Sequence, residues 1–396
     1  MKDSSEGFSE NFLLFLAFAC GLIVANLYYN QPLLTAIRGE FFISTDQVGR
    51  IPMLTQLGYA AGMLLLTPLG DRYNRRGLIL GASIALIGAL LGAASAPSFA
   101  YFEAASFLIG LTAVGAQFII PHVAHLTPDA RRGAAVGKVF TGLLLGILLA
   151  RTVSGFVGDL LGWRSMFYIS AGFMVALTAA LYRWLPGSAP TFFGSYGALL
   201  GSIYRIFREE RTLRQCSLVG ACIFAAFSAP WATLIFLLSG SPFLLGAKAA
   251  GTFGLLGAAG ALAAGITGRF ADRKGPLIAS RVALAVAFFS FLALAVSGFS
   301  LGLLAIGFFL MDAGVQAAHV SNQARFYKLR PDARSRTNTA YMFFYFVGGA
   351  AGSYLGSLAW GRFGWGGVCL LSAGLTFVAL VVALLAKDPP KAFTAV

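Results

Sequence analysis

Long apolar stretches separated by short polar breaks recur along the whole chain. They predict helices over residues 11–36, 48–69, 77–96, 99–122, 134–158, 164–184, 216–239, 247–269, 276–297, 300–323, 337–360 and 366–386. Each is long enough to cross a hydrocarbon core of about 30 Å at about 1.5 Å per residue. The breaks carry turn chemistry, as in Ala96-Pro97-Ser98, Thr127-Pro128-Asp129 and Gly240-Ser241-Pro242. The period-two alternation that marks membrane-spanning strands is not visible.

The pattern also repeats. Gly70-Asp71-Arg72 follows the second helix, and Ala271-Asp272-Arg273 follows the eighth. Gly115-Ala116-Gln117 resembles Gly314-Val315-Gln316, and Pro128-Asp129-Ala130-Arg131 recurs as Pro331-Asp332-Ala333-Arg334. Gly162-Trp163 and Ser170-Ala171-Gly172 recur as Gly364-Trp365 and Ser372-Ala373-Gly374. All of these matches share nearly one offset, so the two halves are parallel repeats. The expected fold is an all-α integral membrane protein with twelve transmembrane helices in two pseudo-symmetric six-helix bundles. The expected division is 1–184 for the first bundle, 185–215 for a cytoplasmic linker and 216–396 for the second bundle with a short tail. Parallel repeats of this kind imply two bundles that rock about a central site.

Composition agrees with a membrane protein. Of 396 residues, 58% are hydrophobic and 11% charged, against about 45–50% and about 25% in soluble domains. The net charge of +14 would point to nucleic acid in a soluble chain, but its placement says otherwise. Twenty-three of the 29 Lys and Arg fall in one set of loops and near the termini, five in the opposite loops, and Arg151 lies within a helix. The bias sets topology, with both termini in the cytoplasm, and calls for no nucleic-acid partner. The acidic start, with Asp3, Glu6 and Glu10, and the long first apolar run read as a retained helix rather than a signal peptide. Cys20, Cys216, Cys222 and Cys369 sit in apolar segments without metal-like spacing. No cofactor, metal site or catalytic constellation is expected.

Ionisable groups deep in a membrane are costly and therefore candidates for function. Asp312 lies mid-way along the tenth helix, with Gln316 and His319 following on the same face. A carboxyl there suits reversible protonation or cation binding. Glu103 in the fourth helix and Arg151 in the fifth lie at similar expected depth, so they are expected to pair, as a structural bridge or as part of the pathway. His122 and His125 are expected at the membrane interface. Small residues at four-residue spacing, Gly142, Gly146, Ala150 and Ser154 in the fifth helix and Gly348, Gly352 and Gly356 in the eleventh, predict close helix approach. Their matching positions suggest sliding interfaces between the halves.

The loop signature Gly-x-x-x-Asp-Arg-x-Gly, matched by Gly268, Asp272, Arg273 and Gly275, resembles that of the major facilitator superfamily. Asp71, Arg72, Arg75 and Arg76 match it in the first half, with Thr67 and Asn74 in place of its glycines. The resemblance covers nearly the whole chain. It implies that Asp71, Arg72, Gly268, Asp272, Arg273 and Gly275 form a cytoplasmic gate, with Asn74 tolerating the left-handed turn. It also implies that helices one, four, seven and ten line a cavity. Asn26, Tyr29, Asn30, Gln117, Phe227 and Trp231 are then candidate lining residues, joined by Tyr341 from the eleventh helix. The run Ala25-Asn26-Leu27-Tyr28-Tyr29-Asn30-Gln31-Pro32 is similar to bacterial efflux members of drug:proton antiporter-like and sugar-efflux-like groups. Arg151 stands where a proline is usual in antiporters, and Ser106 where drug antiporters carry an arginine.

The expected function is secondary active transport of a small organic solute by alternating access, as proton-coupled efflux. Proton-coupled uptake is the alternative. A membrane-embedded enzyme and a flux-less sensor are minor ones. No ATP-binding Gly-x-x-x-x-Gly-Lys-Ser/Thr motif is present. The partners expected are the solute, protons and the lipid bilayer of a bacterial-type inner membrane, with the chain acting as a monomer.

Overall fold

The computed structural model describes residues 8–189, 192, 194–257, 274–297, 300–330 and 333–387, the side chains of 129 and 130 excepted. Among the described residues every regular element is a helix. In the first bundle α1 is Glu10–Ala25, α2 Arg50–Leu65, α3 Arg75–Ala94, α4 Phe99–Leu126, α5 Asp129–Leu161 and α6 Trp163–Trp184. The second contains α7 (Arg211–Ser239), α8 (described over 247–257), α9 (Pro276–Val296) and α10 (Leu301–Phe326). One helical run, Arg334–Leu385, is broken at Gly364 into α11 and α12. An amphipathic helix, Tyr196–Glu209, joins the bundles.

Side-chain oxygens start several of these helices. Ser9, Ser98, Ser195 and Ser300 each accept from the backbone N–H three residues on, which satisfies a donor the helix cannot. The repeated Gly-Trp pairs are corners. Gly162 (φ 83°) and Gly364 (φ 61°) adopt a backbone open mainly to glycine. Trp163 and Trp365, buried just beyond, hydrogen-bond to Glu40 and to the Leu294 carbonyl.

Within the first bundle α1 packs on α5, α2 on α4, and α3 on α6. In the second, α7 packs on α11, and α9 on α10 and α12. The glycine stripes explain two of these pairs and correct the expectation of sliding interfaces. A Cβ on Gly142 would lie 2.3 Å from the Ala17 carbonyl oxygen, and one on Gly146 2.2 Å from that of Gly21. Gly348, Gly352 and Gly356 press against Ala221, Ala225 and Ala229. Both stripes therefore lock helices inside a bundle. Contact between the bundles is made chiefly by α2 with α11 and by α5 with α8, joined by residues 31–41 against α7 and Thr45–Val48 against α11. At the first, Gln56 donates to Ser353 (3.0 Å) and accepts from Ser228 (3.4 Å). At the second, Thr152 donates to the Gly251 carbonyl (2.8 Å), and Gly155 meets Ala247 and Gly251 backbone.

The first helix departs from expectation. It stops at Ala25, turns, and resumes as a 3-10 turn over Gln31–Leu33 and a helix over Leu34–Phe41. Pro32 has no N–H to continue the ladder. Asn26 turns its amide back onto the Leu22 and Ile23 carbonyls at 2.9 and 3.1 Å. In the other direction α5 outruns its expected end, reaching Leu161.

Candidate functional site

A cavity of about 800 Å³ lies between the bundles. Thr67, Pro121, Val136, Tyr327 and Arg334 line it. They stand at the helix ends that meet the arginine-rich loops, so the cavity opens on that basic side. The α2–α11 and α5–α8 contacts close the opposite side. Tyr28, Tyr59, Phe224, Phe227, Tyr345 and Phe346 give its walls an aromatic surface. Phe224 stacks on Tyr345 with centroids 4.0 Å apart and on Phe227 at 5.6 Å.

Polar groups reach it from both bundles. Gln117 donates to the Tyr59 hydroxyl at 2.8 Å. Gln316, His319 and Gln323 share one face of α10 and all line the cavity. His319 Nδ1 lies 3.0 Å from the Tyr341 hydroxyl, which fixes the ring from behind. Among the described residues, no carboxylate lines the cavity.

Gln117, Gln316, His319 and Phe227 thus stand at the wall, as the sequence suggested. Five other candidates lie behind it. Asn26 is buried and accepts from Ser170 at 2.6 Å. Asn30 donates to Thr55 at 3.2 Å. The Ser154 hydroxyl donates to the Tyr29 carbonyl. Tyr341 backs His319, and Trp231 lies beneath Phe227. The turn after Ala25 rotates the chain, so Tyr28 rather than Tyr29 faces the cavity. Sequence reasoning missed Tyr28, Tyr59, Gln323 and Arg334. Gln323 could have been found, since it continues the Gln316–His319 face by one turn.

The expected Glu103–Arg151 pair does not form. Glu103 meets Arg50 at 3.3 Å. Arg151 lies ten residues before Leu161, about 15 Å from the helix end, whereas Glu103 is about 6 Å inside its own at about 1.5 Å per residue. That is a mismatch in depth of about 9 Å, and each group meets another partner, Arg50 for Glu103 and Gln31 for Arg151. A double-mutant cycle on thermal stability in detergent should give Arg50→Gln and Glu103→Gln a coupling of about 0.2–1 kcal/mol, given their partial exposure. Glu103→Gln with Arg151→Gln should be additive; strong coupling between those two would contradict the geometry.

Arg151 is 2% exposed. Its Nε donates to Gln31 Oε1 at 2.6 Å, and its Nη2 has no hydrogen-bond partner. The guanidinium lies over three rings, Trp231 at 4.1 Å, Tyr28 at 4.7 Å and Phe227 at 6.0 Å. Beside the same Trp231 is Asp312, 3% exposed, with Oδ2 unpartnered. The α8 backbone at Gly257 closes over this carboxylate. Asp312 and Arg151 attract one another through the apolar interior, and both lie against Trp231. The site therefore holds two opposite charges, one from each bundle, without direct contact.

At the basic end, Asp71 Oδ1 accepts from Arg75 at 3.1 Å, and its carbonyl accepts from the Phe192 N–H at 2.8 Å. The Arg72 guanidinium lies over Tyr73 at 5.5 Å. Asn74 is extended (φ −60°) and caps α3, accepting from the Arg76 and Ser188 N–H groups; the expected left-handed turn is absent there. In the second half Gly275 has φ 91° and precedes Pro276. Gly268, Asp272 and Arg273 lie outside the described residues. His125 is exposed as expected, but His122 is fully buried, because the chain after α6 covers it.

Comparison with known proteins agrees with this architecture. A family model described as Major Facilitator Superfamily matches residues 13–350. An Escherichia coli (strain K12) protein described as the putative uncharacterized transporter YgaY is 41% identical over 382 residues, covering 96% of this chain and 97% of the relative. The probable transporter SCO4007 of Streptomyces coelicolor is 33% identical over 372 residues, 94% of this chain and 86% of that protein. Among solved structures, a mutant of the nucleoside transporter NupG superimposes with a TM-score of 0.76 at 14% identity, covering 94% of this chain and 98% of that one. At that identity the likeness concerns the fold alone.

Proposed function

Because the chain belongs to the major facilitator superfamily and is a membrane transporter of that type, we propose that it exports a small organic solute in exchange for protons across a bacterial inner membrane. Residues 1–184 and 216–396 are the bundles that rock, 185–215 is the linker, and the basic side is cytoplasmic. The observation that carries this reading is the buried carboxylate Asp312 in one bundle, which interacts with the buried Arg151 of the other, both against Trp231. A carboxylate with an unpartnered oxygen in an apolar site is costly when ionised. Taking up a proton removes that cost and weakens the attraction to Arg151, so the proton and the relative position of the bundles are linked. Solute in the cavity and proton on Asp312 then alternate.

The test is flux in proteoliposomes with an imposed pH gradient and a pH-sensitive dye inside. A solute that moves outward should move protons inward, and reversing the gradient should reverse the solute. Solute flux that leaves the internal pH unchanged would overturn proton coupling.

Asp71 is proposed to favour the state closed on the cytoplasmic side. Asp71→Asn should then speed labelling of a cysteine placed at Ile147, deep in the cavity, in a background without the native cysteines. The expected factor is about two- to fivefold, corresponding to the roughly 0.3–1 kcal/mol of a carboxylate at a helix terminus. Equal labelling rates would leave Asp71 a topological role only.

A further inference from the structure

The cavity and the charges around it also identify the kind of solute. We propose that it is an organic anion with an aromatic body, a carboxylate whose charge is received by Arg151. This rests on the cavity being the transport site. Arg151 is nine-tenths buried and more, yet its charge is not consumed by a protein carboxylate. Gln31, a neutral acceptor, holds Nε, and Nη2 is left without a partner. A buried guanidinium with an idle N–H group is a costly arrangement unless something that accepts hydrogen bonds visits it.

The position fits such a visitor. Tyr28 and Phe227 line the cavity and also carry the Arg151 guanidinium over their rings, at 4.7 and 6.0 Å. The charge is thus one aromatic ring away from the solute. Rotation of either ring lets a carboxylate approach Nη2, where a charge-assisted hydrogen bond forms. Phe224, Phe227 and Tyr345 stack into a continuous flat surface beside it, which suits a planar ring.

A cation is disfavoured by the same geometry. Neither Asp312 nor Arg151 lines the cavity itself. Asp312 lies against Trp231, over whose ring the Arg151 guanidinium sits at 4.1 Å. A cation drawn to the carboxylate would be opposed by that nearby positive charge, which already interacts with Asp312. At the mouth stands Arg334, and the surrounding loops are rich in arginine, so the approach attracts anions as well.

The experiment is thermal unfolding of the purified full-length protein in detergent with benzoate, benzamide or benzylamine at millimolar concentration. These share a ring and differ in charge. Benzoate should raise Tm in a concentration-dependent way, while benzamide and benzylamine should not. Arg151→Gln should lose the benzoate shift. Should that variant not fold, Arg151→Lys keeps the charge but not the planar donor fork, and should bind benzoate at least tenfold more weakly. Equal shifts from benzoate and benzamide, no shift from benzoate, or a benzylamine shift that Asp312→Asn removes would each overturn the proposal. Binding needs no gradient. Benzoate binding without proton-linked flux would therefore refute the coupling reading alone, and proton-linked flux of some other solute without benzoate binding would refute the anion alone.

Discussion

Replacing Asp312 by asparagine is expected to reduce pH-gradient-driven solute flux to the level of empty vesicles, while the purified variant still unfolds cooperatively. Asparagine has nearly the shape of a protonated aspartic acid but cannot release a proton. The side chain is 3% exposed and enclosed by Trp231 and the α8 backbone at Gly257, so the replacement fits the same space. What changes is the charge opposite Arg151. Exchange of solute for solute, which needs no net proton movement, should persist in the variant. That contrast separates a coupling role from simple damage to the site. Driven flux at the wild-type rate would show that the proton travels elsewhere.

The second large effect is on stability. Gly352→Ala should lower the unfolding free energy in detergent by about 1–3 kcal/mol or more, the range of overpacked interiors. Its added Cβ would lie 2.1 Å from the Ala225 carbonyl oxygen, a backbone atom that cannot turn aside as a side chain could. The α7 and α11 backbones would have to part along their length. Gly81 in α3 is the control. A Cβ there meets nothing within 4 Å, so Gly81→Ala should be neutral or stabilising by about 0.5–1 kcal/mol, the entropy glycine loses in a helix. Thermal melts of both variants side by side check the pair. Similar losses at the two positions would mean that close helix approach is not what the Gly352 stripe provides.

Much of this fold was legible because a bilayer forces the chain to declare its spans. Hydropathy located the helices, and the recurrence of Gly162-Trp163 as Gly364-Trp365 marked the two bundles before any corner was seen. The site was legible at single residues of strong character, such as Gln117 and Gln316, which recur at equivalent positions. It was not legible where the helix itself breaks. Helical periodicity carried through Asn26–Asn30 aimed Tyr29 and both asparagines at the cavity. The chain instead turns there, Asn26 bonds its own helix, and Gln31 comes out beside Arg151. The partner of Arg151 was misjudged for a related reason. Depth along a helix depends on where the helix ends, and the polar Asp159 near the end of α5 concealed the last turn. Inter-bundle neighbours such as Trp231 and Gly257 are set by tertiary packing that no local pattern carries.

The closure on the side away from the basic loops is made mainly by glycine and alanine backbones, hydroxyls and one amide, Gln56, with the Lys248 ammonium over the Phe156 ring at 5.0 Å. Among the described residues no ion pair joins the two bundles; each pair lies within one bundle or ties the linker helix to the second. Dissolved salt acts on exposed charges over a Debye length of about 8 Å at physiological ionic strength. Along such a seal it meets no ion pair among the described residues, only single charges such as Lys248, and the buried Arg151 and Asp312 are out of its reach. This closure should therefore hold steady as the surroundings pass from dilute to brackish, leaving ionic strength to act on the charged basic end around Asp71 and on how fast charged solutes are gathered at the mouth.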